Sequence, residues 1–575
     1  METTKRCFRV DRRQISYVKF ILEAYDNVAV MSTLDSREAV IQVTIAPGCE
    51  TMVDGIIQGL AGEIGVMPVE GAPAAGMSGK QAIRMPDKMK QVEIEPKGSL
   101  FQMKEKLLYI STIGCQMNVY DANQIAGVLA PMGYTGTDTI ESADMVIVNT
   151  CTIREKAEQK AFSFLGRLAK IKSANPSLIV AVGGCVAQQE GDAILKRMPH
   201  VDLVFGTHAI FRLPEMVRRI ESSRCRIVDV RMSDTIEFDA PVDGPLTDGQ
   251  ISAFVTIMRG CDNYCTYCVV PHVRGREASR HPDRILEEIR MRVDRGVREV
   301  TLLGQNVNSY GNKEGLCSFS ELLARVNGIE DLGRIRFTTS HPKDLSDELI
   351  DAFGRLEKLC HHMHLPVQSG DDEILKRMNR RYTRSAYLEK IDRLRAVCPD
   401  IAVTSDFIVG FPGETDRQFQ ATLDLIETVR YDGVFAFMYS DRPNAPATAF
   451  SGKIDEPTKK RRLQALLDLQ GRITREKHQA MVGQIRRILV EGPGREMESG
   501  DADMASSRVQ WTGRSSSNHI IHFAVPEAQR DKKELLTGAF ADIMIEGAYA
   551  HSLRGRLIDG PIMATPGKGE TSVAA

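Results

Sequence analysis

The sequence predicts a multidomain α/β protein: a small extra α+β module, a doubly wound α/β domain, a partial (β/α)6 barrel and a small C-terminal β-barrel. Three observations predict it. At 575 residues the chain exceeds one ordinary core and suggests about four units. Two successive stretches alternate strand-like and helical patterns, as parallel sheets covered by helices do. A final stretch changes to short strands separated by turn residues.

Residues 1–70 read as the extra α+β module, with no chemistry assigned to it. Strand-like CFRV leads to the helical pattern ISYVKFILEAY, then to AVMS and AVIQVTIA, and then to TMVDGIIQGLAGEIG. Cys7 and Cys49 read as small hydrophobes. Residues 71–102, with EGAPAAGMSG and scattered polar residues, read as a linker. Met103 could start everything after it, so the first hundred residues read as an appended module or a gene-start feature.

From 104 to 225, KLLYISTI precedes the helical DANQIAGVLAPM, and DMVIVNT precedes REKAEQKAFSFLGRLAKI. LIVAVGG then precedes VAQQEGDAILKRM, and DLVFG a fourth helix, which gives a doubly wound domain with a parallel sheet. From 247 to 478 the strands AFVTIMR, EVTLLG, RIRFTTS, HMHLPVQ, AVTSDFIVG and GVFAFMYS suit a partly closed barrel of six units better than a complete one of eight. From 479 to 560, GQIRRILVEG, SRVQWTGR, HIIHFAV, GAFADIMIEGAY and HSLRGRLI suit a five-stranded barrel of oligonucleotide-binding type. The final dozen residues read as frayed.

Hydrophobic residues at 42% and charged residues at 26% are ordinary globular values. No apolar run is long enough for a bilayer, and METTKRCFRVDRRQ lacks the apolar centre of a secretory signal. A soluble cytoplasmic protein with no membrane partner and reduced thiols is expected, so twelve cysteines need another explanation. With a net charge of −2, contact with nucleic acid would come from local patches. Lys459, Lys460, Arg461 and Arg462, and the pair Arg380 and Arg381, are the candidates, although such runs more often form solvated helix faces.

The strongest chemical signal is Cys261-Asp-Asn-Tyr-Cys265-Thr-Tyr-Cys268, three thiols in one loop after the first barrel strand. Ligands of β/α barrels gather at the C-terminal ends of strands. Structural zinc takes four ligands, and no fourth cysteine or CxxC partner follows close by; His272 is the only nearby nitrogen. Three thiolates on a four-iron cluster leave one iron open for a substrate. Cys115, Cys151 and Cys185 form a second set, each just beyond a strand of the same parallel sheet, so their thiols can converge at one edge. Asn118 and Asn149 read as turn residues, with support of the thiols as the alternative. Cys225, Cys317, Cys360 and Cys398 show no ligand spacing and are assigned to packing; His361, His362 and His364 read as strand-end polar residues.

The cysteine loop resembles that of the radical S-adenosylmethionine (SAM) superfamily. Together with GCQMN at 114–118, NTC at 149–151, GGC at 183–185, CDNYCTYCVVPHVRGRE at 261–277, LLGQNVNSYG, SHP, HLPVQSG, FIVGFPGE and QWTGRSSSNHIIHF, the chain resembles the methylthiotransferase family over 104–560. GCQMN with LLGQNVNSYG resembles the branch that modifies N6-(dimethylallyl)adenosine at tRNA position 37. The alternatives are an aspartate of ribosomal protein S12, a threonylcarbamoyladenosine tRNA, or a noncatalytic zinc and RNA-binding protein.

The resemblance implies two 4Fe-4S clusters, one on Cys261, Cys265 and Cys268 and one on Cys115, Cys151 and Cys185, with SAM as the other cofactor. Cleavage of SAM would give a 5'-deoxyadenosyl radical that activates carbon 2 of the adenine, and a second SAM would methylate the sulfur. Tyr267 stands where the family has an aromatic near the SAM adenine, and Gly304-Gln305-Asn306 where relatives contact its amino acid moiety; a plain strand-end turn is the other reading of that tripeptide. No catalytic residue beyond the cluster ligands is identified. The implied partners are the tRNA anticodon loop, a reducing flavodoxin or ferredoxin and a sulfur source, acting on a monomer. The C-terminal barrel resembles a TRAM domain, in which Arg486, Arg487 and Arg514 are candidate phosphate contacts, and Trp511 is a base-stacking or core residue. One departure is YSDRPNAPATAF at 439–450, with Asp441 and Asn444 where relatives carry proline and glycine.

Overall fold

The structure is a computed structural model that describes residues 105–152, 155–233, 249–496, 509–525 and 536–558, together with parts of 4–69. The stretch 71–102, the final dozen residues and all but Val18 of the helix expected at 15–25 lie outside the described residues.

In the N-terminal module, strands Thr4–Arg9, Ala29–Asp35, Val40–Ile45 and Met67–Pro68 form one sheet in the order second, third, first, fourth. Its pairings are antiparallel. Phe8, Ile41, Val43, Cys49, Val53 and Leu60 bury a core of their own, so Cys49 packs as expected.

Six parallel strands build the doubly wound domain. Read from one edge, the order is Ile227–Asp229, Leu203–Phe205, Ile179–Gly184, Met145–Thr150, Lys106–Ile113, Tyr134–Gly136. Two of these exceed the four expected, and both are three-residue edge strands, too short to display a period of their own. Met145–Thr150 and Ile179–Gly184 are buried throughout, which is why they read as continuous apolar runs. Successive side chains enter opposite cores: Ile147 packs with Leu129 and Leu213 on one face, whereas Val146 and Val148 pack with Phe162 and Leu165 on the other. From Lys106–Ile113 the chain steps outward to Tyr134–Gly136 and then back across to Met145–Thr150, which makes a topological switch point between Lys106–Ile113 and Met145–Thr150.

The barrel strands are Ser252–Thr256, Glu299–Leu303, Arg334–Phe337, His362–His364, Ala402–Val409 and Gly433–Met438. They pair in parallel as two groups of three, joined by an isolated bridge from Ile335 to Leu359. Six strands in this order form the partial barrel expected.

The five C-terminal strands, Ile485–Glu496, Val509–Ser515, Ile520–Ala524, Phe540–Ala548 and Leu553–Leu557, close into a barrel. Trp511, at 1% exposure, lies in its core beside Phe523 and Ile543, so it is not a stacking platform. This small barrel sits at the N-terminal end of the large barrel's strands. Arg336 donates to the Ser515 and Ser516 carbonyls at 2.6 and 3.0 Å, and Arg334 to the Arg487 carbonyl at 3.1 Å. Arg514 is ion-paired with Glu491 at 3.0 Å, and the Arg487 guanidinium lies over the Phe540 ring, so neither is a bare phosphate contact.

Candidate active site

A cavity of about 360 Å³ lies between the doubly wound domain and the C-terminal ends of the barrel strands. Cys115 and Cys185 line it from one side, and Cys261, Cys265 and Cys268 from the other. Cys151 is buried and hydrogen-bonds Cys115, with Thr152 continuing onto the wall. Five of the six thiols therefore line one chamber, and Cys151 bonds one of them from behind.

The first trio gathers because the sheet edge is pinned. Asn118 Nδ2 donates to Asn149 Oδ1 at 3.1 Å and to the Thr150 carbonyl at 2.9 Å, while Asn149 Nδ2 returns a bond to the Asn118 carbonyl at 2.8 Å. Asn118 also accepts from Cys115 Sγ at 3.2 Å. The turn reading of these two asparagines is thus corrected: both are buried and tie the ends of the two switch-point strands together. The residue before each flanking thiol must be small. A Cβ at Gly114 would stand 2.6 Å from the Cys151 Cβ, and Gly184 has φ +92° with the Thr150 carbonyl oxygen 2.3 Å from where its Cβ would be.

The second trio is a single loop held from outside. Gly260 N donates to Gln305 Oε1 at 2.6 Å, which fixes the loop's entry. Asn379 Nδ2 donates to the Asn263 and Tyr264 carbonyls at 3.2 and 2.9 Å and supports Tyr264 at φ +49°. Arg380 Nη1 stands 3.4 Å from both Cys265 Sγ and the Tyr267 hydroxyl. Tyr267 and Gln305 both line the chamber, as does Gly304. Asn306 does not: its amide turns inward to Ser309 Oγ and Asp344 Oδ2.

Sequence reasoning misplaced one cation and missed another. Arg380, read as half of a surface patch, is 4% exposed and wraps the cysteine loop. Arg274, from VVPHVRG, also lines the chamber and is buried against Asp121. An arginine closing a mostly apolar segment just after Cys268 is the signal that could have found it. The run Lys459–Arg462 is divided as well: Lys459 and Arg462 are buried, and Arg462 pairs with Glu414 and Asp416 at 2.8 Å each. Cys398, assigned to packing, lies with His361 and Asp400 at the barrel's other end, where Asp400 accepts from His361 Nδ1 at 2.9 Å and Cys398 Sγ at 3.5 Å. That trio is satisfied by its own hydrogen bonds.

Burial pushes the Cys261 thiol up to about 11 and Cys268 up to about 12, and it raises Cys185. Cys115 goes the other way, to about 6, through its hydrogen bond with Cys151, the Arg274 charge and backbone N–H groups at the start of helix Gln116–Leu129. The loop trio offers three thiols to open space, and the strand-end trio two, with Cys151 bonded behind Cys115; three thiols in each set suit a four-iron cluster with one free iron and fall short of closed tetrahedral zinc.

The tRNA-2-methylthio-N(6)-dimethylallyladenosine synthase of Desulfosudis oleivorans is 56% identical over 471 residues, 82% of this chain and 100% of that protein. The chain belongs to the tRNA-2-methylthio-N(6)-dimethylallyladenosine synthase family. Another family member, from Syntrophus aciditrophicus, is 49% identical over 465 residues, 80% of this chain and 96% of its own. Residues 255–426 match the radical SAM superfamily, 107–206 the uncharacterized protein family UPF0004, and 8–64 a domain of unknown function, DUF4911. Among solved structures, the radical S-adenosylmethionine methyltransferase TsrM from Kitasatospora setae aligns with a TM-score of 0.45 and 13% identity, over 66% of this chain and 78% of that one.

Proposed function

We propose that Cys261, Cys265 and Cys268 hold the cluster that binds SAM, that Cys115, Cys151 and Cys185 hold the second cluster, and that Tyr267 and Gln305 flank the bound SAM. As a radical SAM methylthiotransferase, the chain converts N6-(dimethylallyl)adenosine at tRNA position 37 to its 2-methylthio derivative, using SAM and two 4Fe-4S clusters. The observation that carries this reading is the convergence of two thiol trios on one cavity. Bound there, the cofactors supply a radical that can attack an aromatic C–H bond lacking an easy acid-base route, and the sulfur and methyl group that replace the hydrogen.

The protein's own part is placement and exclusion. The parallel sheet and the barrel each deliver thiols from the C-terminal ends of strands, so both sets meet in a shared pocket with mostly buried walls. Arg380 sets a permanent positive charge beside Cys265. An anticodon loop can splay a base into such a pocket. The small C-terminal barrel, docked at the far end of the large one, would hold the tRNA away from the reacting base.

The units 1–70, 104–225, 247–478 and 479–560, the first of unassigned role, complete the proposed organisation. We place the protein in the cytoplasm as a monomer, with a flavodoxin or ferredoxin as reductant and a separate sulfur source. Among the described residues no helix is long and apolar enough to cross a membrane. Nucleoside analysis of tRNA from a deletion strain tests the substrate. Loss of the methylthio group with accumulation of the dimethylallyl nucleoside is expected, whereas intact 2-methylthio nucleoside with altered ribosomal protein S12 would overturn it.

A further inference from the structure

Arg274 belongs by sequence to one trio and by contact to the other. It closes the short helix Val270–Arg274 that follows Cys268 in the barrel. Its guanidinium nevertheless crosses into the doubly wound domain, where Nη2 donates to Asp121 Oδ2 at 2.8 Å and the group also hydrogen-bonds Cys185. Asp121 sits on helix Gln116–Leu129, which begins immediately after Cys115. The two side chains are 6% and 3% exposed, and Arg259, also buried, stands 3.5 Å from the other Asp121 oxygen.

The backbone around Arg274 is stitched across the same seam. Thr207 Oγ1 donates to the Val273 carbonyl at 2.7 Å, and His208 Nε2 lies 3.0 Å from the Arg274 carbonyl. Val269 and Val273 pack directly on Cys185. Burying a guanidinium is costly unless negative groups face it. Asp121 faces Arg274 as a carboxylate, with the sulfur atoms of Cys185 and Cys115 beside it. Arg380 plays the equivalent part beside Cys265, but it does so within its own domain.

We propose that Arg274, anchored on Asp121, is a positioning residue for the cluster of Cys115, Cys151 and Cys185, carrying a barrel-borne positive charge onto that cluster and fixing its placement relative to the barrel trio. A cation beside a cluster stabilises its electron-richer state and raises its reduction potential. A cation that also belongs to the neighbouring domain ties the two halves of the chamber together.

The inference rests on the assignment of a cluster to that trio, and the test keeps the two apart. Full-length wild type, R274Q, R274K and D121N are reconstituted anaerobically, and iron and sulfide content, the potential of each cluster, and 5'-deoxyadenosine formed per modified nucleoside are measured. In R274Q the N-terminal cluster should shift to a more negative potential while the barrel cluster stays in place, and the 5'-deoxyadenosine ratio should rise by about tenfold or more. R274K, which keeps the charge, should restore the potential. D121N, which keeps the Arg274 cation but removes its buried counter-charge and anchor, should raise the ratio while shifting that cluster to a more positive potential, opposite in sign to R274Q. An R274Q protein with two clusters and wild-type potentials and ratio overturns the inference, as does an equal shift of both clusters. If R274Q does not assemble, a wild-type ratio in both R274K and D121N overturns it. Wild type that loses no iron when Cys115, Cys151 and Cys185 are replaced overturns the underlying assignment instead.

Discussion

Cys261, Cys265 and Cys268 leave a single loop, whereas Cys115, Cys151 and Cys185 leave three different strands, and yet all of them but Cys151, which bonds Cys115, line one cavity. The loop trio depends on local conformation supplied from outside: Gln305 at its entry, Asn379 under Tyr264, Arg380 against Cys265. The strand-end trio depends on the completed sheet, because nothing local brings its members together. A loop can assemble part of its metal site early, but a site spread over three strands exists only after the domain has folded.

Replacing the thiols tests that contrast most severely. On the proposed assignment, alanine at Cys261, Cys265 or Cys268 should reduce SAM cleavage to background, because the cluster proposed to bind SAM would be lost. Alanine at Cys115, Cys151 or Cys185 should spare cleavage and stop methylthiolation. Measured 5'-deoxyadenosine and modified nucleoside separate the cases, and identical behaviour of the two sets would dismantle the division of labour.

A smaller effect distinguishes the two supports. Asn118→Ala removes two buried bonds and leaves the Thr150 carbonyl and Asn149 without their donor, a loss of about 1–3 kcal/mol for the doubly wound domain. Denaturant unfolding should register the loss, and reconstituted protein should lack iron on the strand-end trio while the loop trio fills normally. Equal loss of iron from both trios would mean that the asparagine pair supports the whole chamber.

How much of this was legible follows from the same contrast. The loop trio is written as a spacing, and the strand-end trio becomes visible once the parallel sheet is inferred, since such a sheet aligns its C-terminal ends. Asn118 and Asn149 stood out only as neighbours of the thiols, Arg274 only by its place after Cys268, and Arg380 not at all. Their roles depend on contacts between residues remote in sequence, such as Arg274 with Asp121 or Arg380 with Cys265. A buried arginine and a surface arginine look alike in a sequence, so Arg380 passed for part of a basic patch. The edge strands Tyr134–Gly136 and Ile227–Asp229 escaped because three residues hold too little pattern.

The thiols should also differ in their response to pH. Metal binding requires thiolates, so every thiol protonated at the working pH makes affinity fall as pH falls. Cys261 and Cys268 are held protonated to about 11 and about 12, whereas Cys115 ionises near 6. Between pH 8 and 6.5 Cys115 remains largely ionised and adds little to that dependence. Cadmium titration of the apoprotein carrying only one trio should therefore show a steeper loss for the loop trio, by about one power of ten per pH unit. Equal slopes would show that the bond with Cys151 does not hold Cys115 as thiolate.

The least change is expected where the chain touches both trios. In the stretch 439–450, Ala445 packs with Cys185, Val269 and Val273, and Ala447 N donates to the Thr266 carbonyl of the cysteine loop at 2.9 Å. Asn444 has φ +66°, the left-handed region that glycine favours and asparagine tolerates, which suits the asparagine found there. Asp441 is likewise accommodated, accepting from the Tyr439 hydroxyl at 2.9 Å and pairing with Lys453. Asn444→Gly relieves backbone strain but gives the unfolded chain more freedom, so stability should move by less than about 0.5 kcal/mol, with SAM cleavage unchanged. Asn444→Ala meets the strain without the local polar compensation and should cost about 1 kcal/mol by denaturant unfolding. If alanine instead uncouples methylthiolation from SAM cleavage, as replacement of Cys115, Cys151 or Cys185 should, this stretch holds the two trios in register rather than merely covering them.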